Sequence, residues 1–168
     1  KKYNIEIEET QQTDEEKAKR DARESMFLVT EFAAEYFKKT LWESSSGKAI
    51  GKTYFQERGF SDETIKSFEL GYALEEKDAF SKEALKQGYQ LEFLEKTGLT
   101  IVNEDRKIDR FRGRVLFPIK SMSGRVVGFG GRILGDNKKT AKYLNSPESD
   151  IYHKSKVLYG LYESKQAI

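Results

Sequence analysis

The stretch Arg114-Val115-Leu116-Phe117-Pro118-Ile119-Lys120-Ser121-Met122-Ser123-Gly124-Arg125-Val126-Val127-Gly128-Phe129-Gly130-Gly131-Arg132-Ile133-Leu134 decides the fold. Two short runs rich in Val, Ile and Phe flank the polar turn Ser121-Met122-Ser123-Gly124. Branched and aromatic side chains on both sides of such a turn predict a hairpin, with strands over 114–119 and 125–134. Pro118 has no N–H to offer a ladder, so its strand is expected to be an edge or to bulge there. Leu99 to Val102 has the same character and predicts one more strand.

Outward toward the N-terminus, the pattern changes period. Val29, Phe32, Ala33, Tyr36, Phe37 and Leu41 recur at helical spacing between Met26 and Trp42. Glu35 stands four residues before Lys39, the favourable order for an ion pair on the polar side. Ser44-Ser45-Ser46-Gly47 should break this helix. A second helix is expected from about Lys48 to Arg58, with Gly59 as its left-handed stop. Ser61 should cap a third, with Asp62 and Glu63 in its first turn. Ser81 is expected to open a short helix ending at Gly88, and Leu91 to Lys96 to form another ending at Gly98. Outward toward the C-terminus, 159–168 looks helical again.

Helices first, then a mostly antiparallel sheet, then a C-terminal helix define an α+β protein. Residues 1–24 carry few apolar side chains and read as a linker or frayed segment. Residues 25–168 read as one lobe: helical over about 25–98, β-rich and basic over about 99–158, with a final helix over about 159–168. No internal repeat is visible.

The chain has 168 residues, 37% hydrophobic and 35% charged, and a formal net charge of +2. That small value hides an asymmetry. Residues 1–105 hold 16 Lys/Arg against 23 Asp/Glu, a balance of −7; residues 106–156 hold 13 against 4, a balance of +9. A polyanion-facing half and a solvated acidic half fit this split, as does ordinary clustering of surface charge. With no Cys and one His, disulfides, thiolate zinc sites and multi-histidine metal sites are excluded. No transmembrane run or signal core is present, and a cytoplasmic location suits the cysteine-free composition. The start at Lys1, without Met, is expected of a piece of a longer protein.

Two glycine motifs are decoys. In Gly47-Lys48-Ala49-Ile50-Gly51-Lys52-Thr53 the Gly-to-Gly gap is one residue short for a phosphate-binding P-loop, and a helix rather than a buried strand precedes it. Gly128-Phe129-Gly130-Gly131-Arg132 lacks the sixth-position Gly and following helix of a dinucleotide fingerprint. These strand glycines either admit a close approach by another backbone or a nucleic acid, or mark a bulge. Arg106-Lys107-Ile108-Asp109-Arg110-Phe111-Arg112-Gly113-Arg114 is more informative. If it is extended, Arg110, Arg112 and Arg114 share one face, where they would either grip phosphates bidentately or decorate a solvated edge. Lys142, Tyr143 and Asn145 place a cation, a stacking ring and an amide within four residues, a set able to hold a phosphate and a base, although Asn145-Ser146-Pro147 also reads as a plain turn. His153 reads as a surface or packing residue, and Lys154 as a candidate anion ligand. No acid–base pair, nucleophile or acidic metal cluster stands out, so the sequence supplies binding chemistry without a visible reaction centre.

Together these segments resemble the bacterial DnaG-type primases. Arg110-Phe111-Arg112-Gly113-Arg114-Val115-Leu116-Phe117-Pro118-Ile119 is similar to their RFRxRxMFPI segment, and Gly124-Arg125-Val126-Val127-Gly128-Phe129-Gly130-Gly131-Arg132 to their GRVIGFGGR segment. Lys142-Tyr143-Leu144-Asn145-Ser146-Pro147-Glu148, His153-Lys154 and Leu158-Tyr159-Gly160-Leu161 are similar to the run KYLNSPET…FHK…LYGL, and Tyr54-Phe55-Gln56-Glu57-Arg58-Gly59-Phe60-Ser61 to YLxxRGLS. Order and spacing agree from about Val29 onward. Gly113 and Ser149 depart from the family's usual residues but leave the basic positions intact.

The resemblance implies the N-terminal, basic lobe of a polymerase core that makes RNA primers on single-stranded DNA, immediately upstream of a Toprim lobe. By that resemblance Arg58, Arg110, Arg112, Arg114 and Arg132 bind nucleic acid, and Lys142, Tyr143, Asn145 and Lys154 bind nucleotide. No catalytic or metal-binding residue is expected here. Mg2+ or Mn2+ would be held by Toprim carboxylates, and Zn2+ by a separate N-terminal domain. Implied partners are single-stranded DNA template, nucleoside triphosphates, the RNA–DNA primer duplex and, through a C-terminal domain, the replicative helicase. The alternative is a non-enzymatic single-strand-binding module, and a third reading is a primase–helicase fusion. The residues encoded after Ile168 separate these readings: a Glu-Gly-Tyr-x-Asp segment followed by Asp-x-Asp marks the polymerase, and a helicase domain further on marks the fusion.

Overall fold

The computed structural model describes residues 2–134 and 141–154, with side chains from Thr13 onward. The first helix, α1, runs Lys2–Glu43, far longer than the segment beginning at Met26 that apolar spacing predicts. The buried stripe starts where expected, with Met26, Val29, Ala33, Phe37 and Leu41 at three- and four-residue intervals. Between Thr13 and Glu24 the side chains are exposed apart from a half-buried Ala22. This part of 1–24 is therefore helical without a buried face. The ion pair on α1 also differs: Glu35 pairs with Lys38 at 2.9 Å rather than with Lys39, and Lys38 reaches Glu69 as well, at 3.5 Å.

A single π-helical turn, Gly47–Lys52, follows and runs into α2, Thr53–Glu57. A Cβ on Gly47 would fall onto the Thr40 carbonyl oxygen, so only glycine lets the chain fold back this tightly on α1. The P-loop-like segment is thus helical and packed, and it forms no phosphate cradle. Gly59 has φ 86° and ends this unit, as its left-handed stop predicts. Ser61 caps α3, Asp62–Ser67, by accepting from the Thr64 N–H. Helix α4 is Ala79–Lys86, so it opens before Ser81 instead of at it. Its cap comes from a distance: the Asp109 carboxylate accepts from the Phe80 and Ser81 N–H groups at 2.8 and 3.0 Å and from the Ser81 hydroxyl. Helix α5 is Leu91–Lys96, ending before Gly98.

Strands β1 (Gly71–Tyr72), β4 (Arg114–Lys120), β5 (Val126–Ile133) and β6 (Tyr143–Asn145) form an antiparallel sheet in the order β1-β4-β5-β6. Strands β2 (Thr100–Asn103) and β3 (Arg106–Asp109) form a separate hairpin. Pro118 lies on an inner strand; among the described residues the β1 pairing stops at Leu116, before the proline, and the β4–β5 register shifts between Ile119 and Lys120, just after it. Neighbouring residues on β4 point to opposite faces. Leu116 joins Phe129 in the main core with Val29, Ala33 and Phe37 of α1. Val115 joins a second core with Leu41, Phe55, Ile65 and Tyr72. Helix α1 therefore covers one sheet face, while the π-turn, α2 and α3 cover the opposite face at its β1 end. The final helix expected over 159–168 lies outside the described residues.

Candidate nucleic-acid interface

Strand register builds the site. Arg132 is paired with Val115 on one side and Tyr143 on the other, and Gly130 with Phe117 and Asn145. These two rows lie on the face opposite α1. They bound an open recess of about 320 Å³ lined by Phe117, Ile119, Gly130, Gly131, Tyr143 and Asn145. A Cβ on Gly130 would stand 3.2 Å from Asn145 Oδ1, at the mouth of this recess. Gly131 has a different reason, since a Cβ there would press on Phe111, Arg114 and Leu116 in the core. At both glycines the neighbours are the protein's own side chains, and the β4–β5 register shifts just beyond the Ile119–Gly128 pair.

Above the recess, cations and rings alternate. The Arg58 guanidinium lies 3.9 Å over the Tyr54 ring, and Arg132 is 5.2 Å from Tyr54 and 5.6 Å from Tyr143. The Lys142 ammonium is 5.8 Å from Tyr143. Arg132 is oriented by its own donation to the Ile133 carbonyl at 2.9 Å. A hydrogen bond from Arg132, together with the charges of Arg132, Lys142 and Arg58, holds the Tyr143 phenol below its ordinary value. Arg132 thus bridges the two rings, and its hydrogen bond is the largest influence on the Tyr143 hydroxyl. Among the described residues no carboxylate pairs with Arg58, Arg132 or Lys142. Some cations elsewhere are paired: Arg125 contacts Glu24 and Glu31 at 3.0 and 2.8 Å, and Lys52 contacts Asp62 at 3.7 Å. Such a ladder suits phosphates between guanidinium groups and bases against rings.

The other arginines do not join it. Residues 110–113 form a turn between β3 and β4, so Arg110, Arg112 and Arg114 do not share a strand face. Arg110 is half-buried, donates from Nε to the Gly98 carbonyl at 2.6 Å, and is lowered by burial. Arg114 is 3% exposed and donates to the carbonyls of Ala141, Lys142 and Gly131 at 2.8, 3.3 and 3.4 Å. Arg112 alone of the three is exposed. The exposed Lys154 donates its backbone N–H to Glu148, and among the described residues no contact joins its side chain to the ladder. Tyr54 was not singled out by sequence reasoning, although its helical i,i+4 spacing from Arg58 was the available signal. Among the described residues no group of three or more His, Cys, Asp or Glu could hold a metal ion, and no helix is long and apolar enough to cross a membrane.

The family model for the DNA primase catalytic core, N-terminal domain, matches residues 36–165. The DNA primase of Halalkalibacterium halodurans is 44% identical over 147 residues, which are 86% of this chain and 24% of that protein. The DNA primase of Escherichia coli K12 is 36% identical over 165 residues, 98% of this chain and 28% of that one. The chain thus spans about a quarter of the length of the curated primases it matches. Among solved structures, a DnaG primase catalytic domain bound to ssDNA superposes with TM-score 0.80 and 37% identity, covering 88% of this chain and 45% of that one. The RNA polymerase domain of Mycobacterium tuberculosis primase DnaG superposes with TM-score 0.79 and 33% identity, covering 87% and 47%.

Proposed function

This chain belongs to the family of the DNA primase catalytic core, N-terminal domain, and from that footing we propose that it is the basic lobe of a primer-synthesising polymerase whose outer sheet face holds single-stranded template and nucleotide phosphates. The observation that carries the reading is the alternation of cations and rings beside the recess: Arg58 and Arg132 lie against Tyr54, and Arg132 and Lys142 lie against Tyr143. Guanidinium groups fork onto phosphate oxygens, and rings accept any base by stacking, so the ladder grips a strand without choosing its sequence. In this reading Lys142, immediately before the edge strand β6, serves the nucleotide phosphates. Catalysis of phosphoryl transfer is largely the positioning and charge stabilisation of phosphates, which such cations supply without a general base. Divalent metal finds no ligand set among the described residues; in this reading the carboxylates that hold it belong to a Toprim lobe, and zinc to a separate domain. Nucleoside triphosphates, a primer duplex and the replicative helicase are the corresponding partners of the whole enzyme, in the cytoplasm.

Relatives bound to single-stranded and to overhanging duplex DNA support a nucleic-acid partner. The test is a salt series of oligonucleotide binding to the full-length protein. Log affinity should fall with log salt by about 0.7 per phosphate neutralised, and Arg132→Ala should flatten the slope by about that amount. Binding that ignores salt, or an unchanged slope in Arg132→Ala, refutes the assignment.

A further inference from the structure

We propose that the groove between α1 and α4 docks a helical segment of a protein partner that presents arginine or lysine side chains. The groove is an open depression of about 700 Å³. Its α1 wall carries Phe32, Glu35, Tyr36, Lys39 and Glu43, and Glu83 faces it from α4. The five α1 positions form one helical stripe that borders the Val29, Ala33 and Phe37 stripe; its Phe32 and Tyr36 are half-buried against the same core. A stripe with two large aromatic side chains is more apolar than a purely solvated face requires.

The floor is stiff. Phe32 packs on Tyr89 at 4.7 Å and on Phe80 at 6.0 Å, and Tyr36 meets Phe80 edge-on at 5.3 Å. Phe80 is itself 1% exposed, so the groove's rings are anchored in the core. The rim is acidic: Glu43 and Glu83 carry no ion pair among the described residues and face the single ammonium of Lys39, while Glu35 is paired with Lys38 at 2.9 Å. Burial, and then the negative charges of Asp109, Glu83 and Glu76, raise the Tyr36 phenol, which reports the same field at the floor.

Aromatic faces beneath carboxylates attract guanidinium and ammonium groups by ring quadrupole and charge together. The same field repels phosphate, which argues against nucleic acid as the occupant. Phe32 to Glu43 spans about 16 Å, enough for roughly three turns of a helix lying between two helices. Helix α1 covers the sheet face opposite the cation–ring ladder, so a partner here would leave the nucleic-acid face open.

The probe is a labelled 15-residue helical peptide with two arginines four residues apart and leucines on the adjoining stripe. Controls carry citrulline or glutamate in place of arginine. Titrated into the full-length protein, the arginine peptide should bind saturably, and the controls should bind at least about tenfold more weakly. Glu43→Lys with Glu83→Lys should lose about tenfold or more, at unchanged thermal stability, because both sites are on the groove's rim. Lys39→Glu should bind the peptide more tightly, a gain that misfolding cannot imitate. A saturating single-stranded oligonucleotide should leave the affinity unchanged. Absence of saturable binding, equal binding of the citrulline peptide, no gain in Lys39→Glu, or displacement by the oligonucleotide would each overturn the proposal; the last would make the groove a nucleic-acid site.

Discussion

Arg114→Lys keeps the charge of the basic run and removes its geometry. The guanidinium is buried and donates to three carbonyls, at 2.8 Å to Ala141 and at 3.3 and 3.4 Å to Lys142 and Gly131. It thereby ties β4 to the chain entering β6. One hydrogen bond from a charged donor is worth about 1.5–3 kcal/mol, and bonds at the long end of the range contribute less. A lysine ammonium on this stem reaches one of these carbonyls at best, and the others lose a buried partner. The expected loss is therefore about 2–4 kcal/mol, a large share of a domain's usual 5–15. Urea unfolding followed by the fluorescence of Trp42, the single tryptophan, reads it directly. In folded protein the salt slope of DNA binding should be unchanged, whereas exposed Arg112→Ala should keep its stability. If Arg114→Lys melts like the parent and flattens the salt slope, Arg114 contacts phosphate and the clamp is wrong.

Asp109→Asn should cost about 1–3 kcal/mol, because an amide offers a single acceptor oxygen to the Phe80 and Ser81 donors. Burial raises the folded Asp109 carboxyl above its unfolded value, so the parent binds the extra proton when folded and gains stability as pH falls through the window above 3.8. Urea midpoints should show the gap between parent and Asp109→Asn widening on acidification there; a narrowing gap contradicts the assignment. Arg125→Ala should release the N-terminal part of α1, since Arg125 contacts Glu24 and Glu31 and lies 4.1 Å over the Phe27 ring. Amide exchange over residues 14–27 should accelerate while β5 is unaffected, and equal rates would dissolve the latch. Tyr143→Ala should weaken oligonucleotide binding about tenfold, and Tyr143→Phe much less, if the ring stacks on a base. Equal losses would assign the effect to the hydroxyl held by Arg132.

The α+β order and the β4–β5 hairpin were legible because a polar turn between runs of Val, Ile and Phe carries its own signal. Helices α3 and α5 were legible from Ser61 and Gly98. Strands β1 and β6 have two and three residues, too few for alternation to register. Strand β3 hid within a run dominated by arginine and lysine. The π-turn arises from how Gly47 and Gly51 seat against Thr40, Leu41 and Tyr72, contacts that no local pattern encodes. The same limit applies at the site. Arg112 and Arg114 look alike in sequence, and only the tertiary fold buries one beneath the carbonyls of the chain entering β6. Tyr54 joins the ladder because α2 packs over the row that β5 and β6 set up by their register.

Hydrogen exchange of the full-length protein, with and without a saturating single-stranded oligonucleotide, tests most directly where nucleic acid lies. Protection should appear over 54–58, 128–133 and 143–146, the segments that carry the ladder and the recess. The α1–α4 groove and the β2–β3 hairpin should exchange as before. Protection confined to those two regions, with the outer face of β5 and β6 unchanged, would contradict the account.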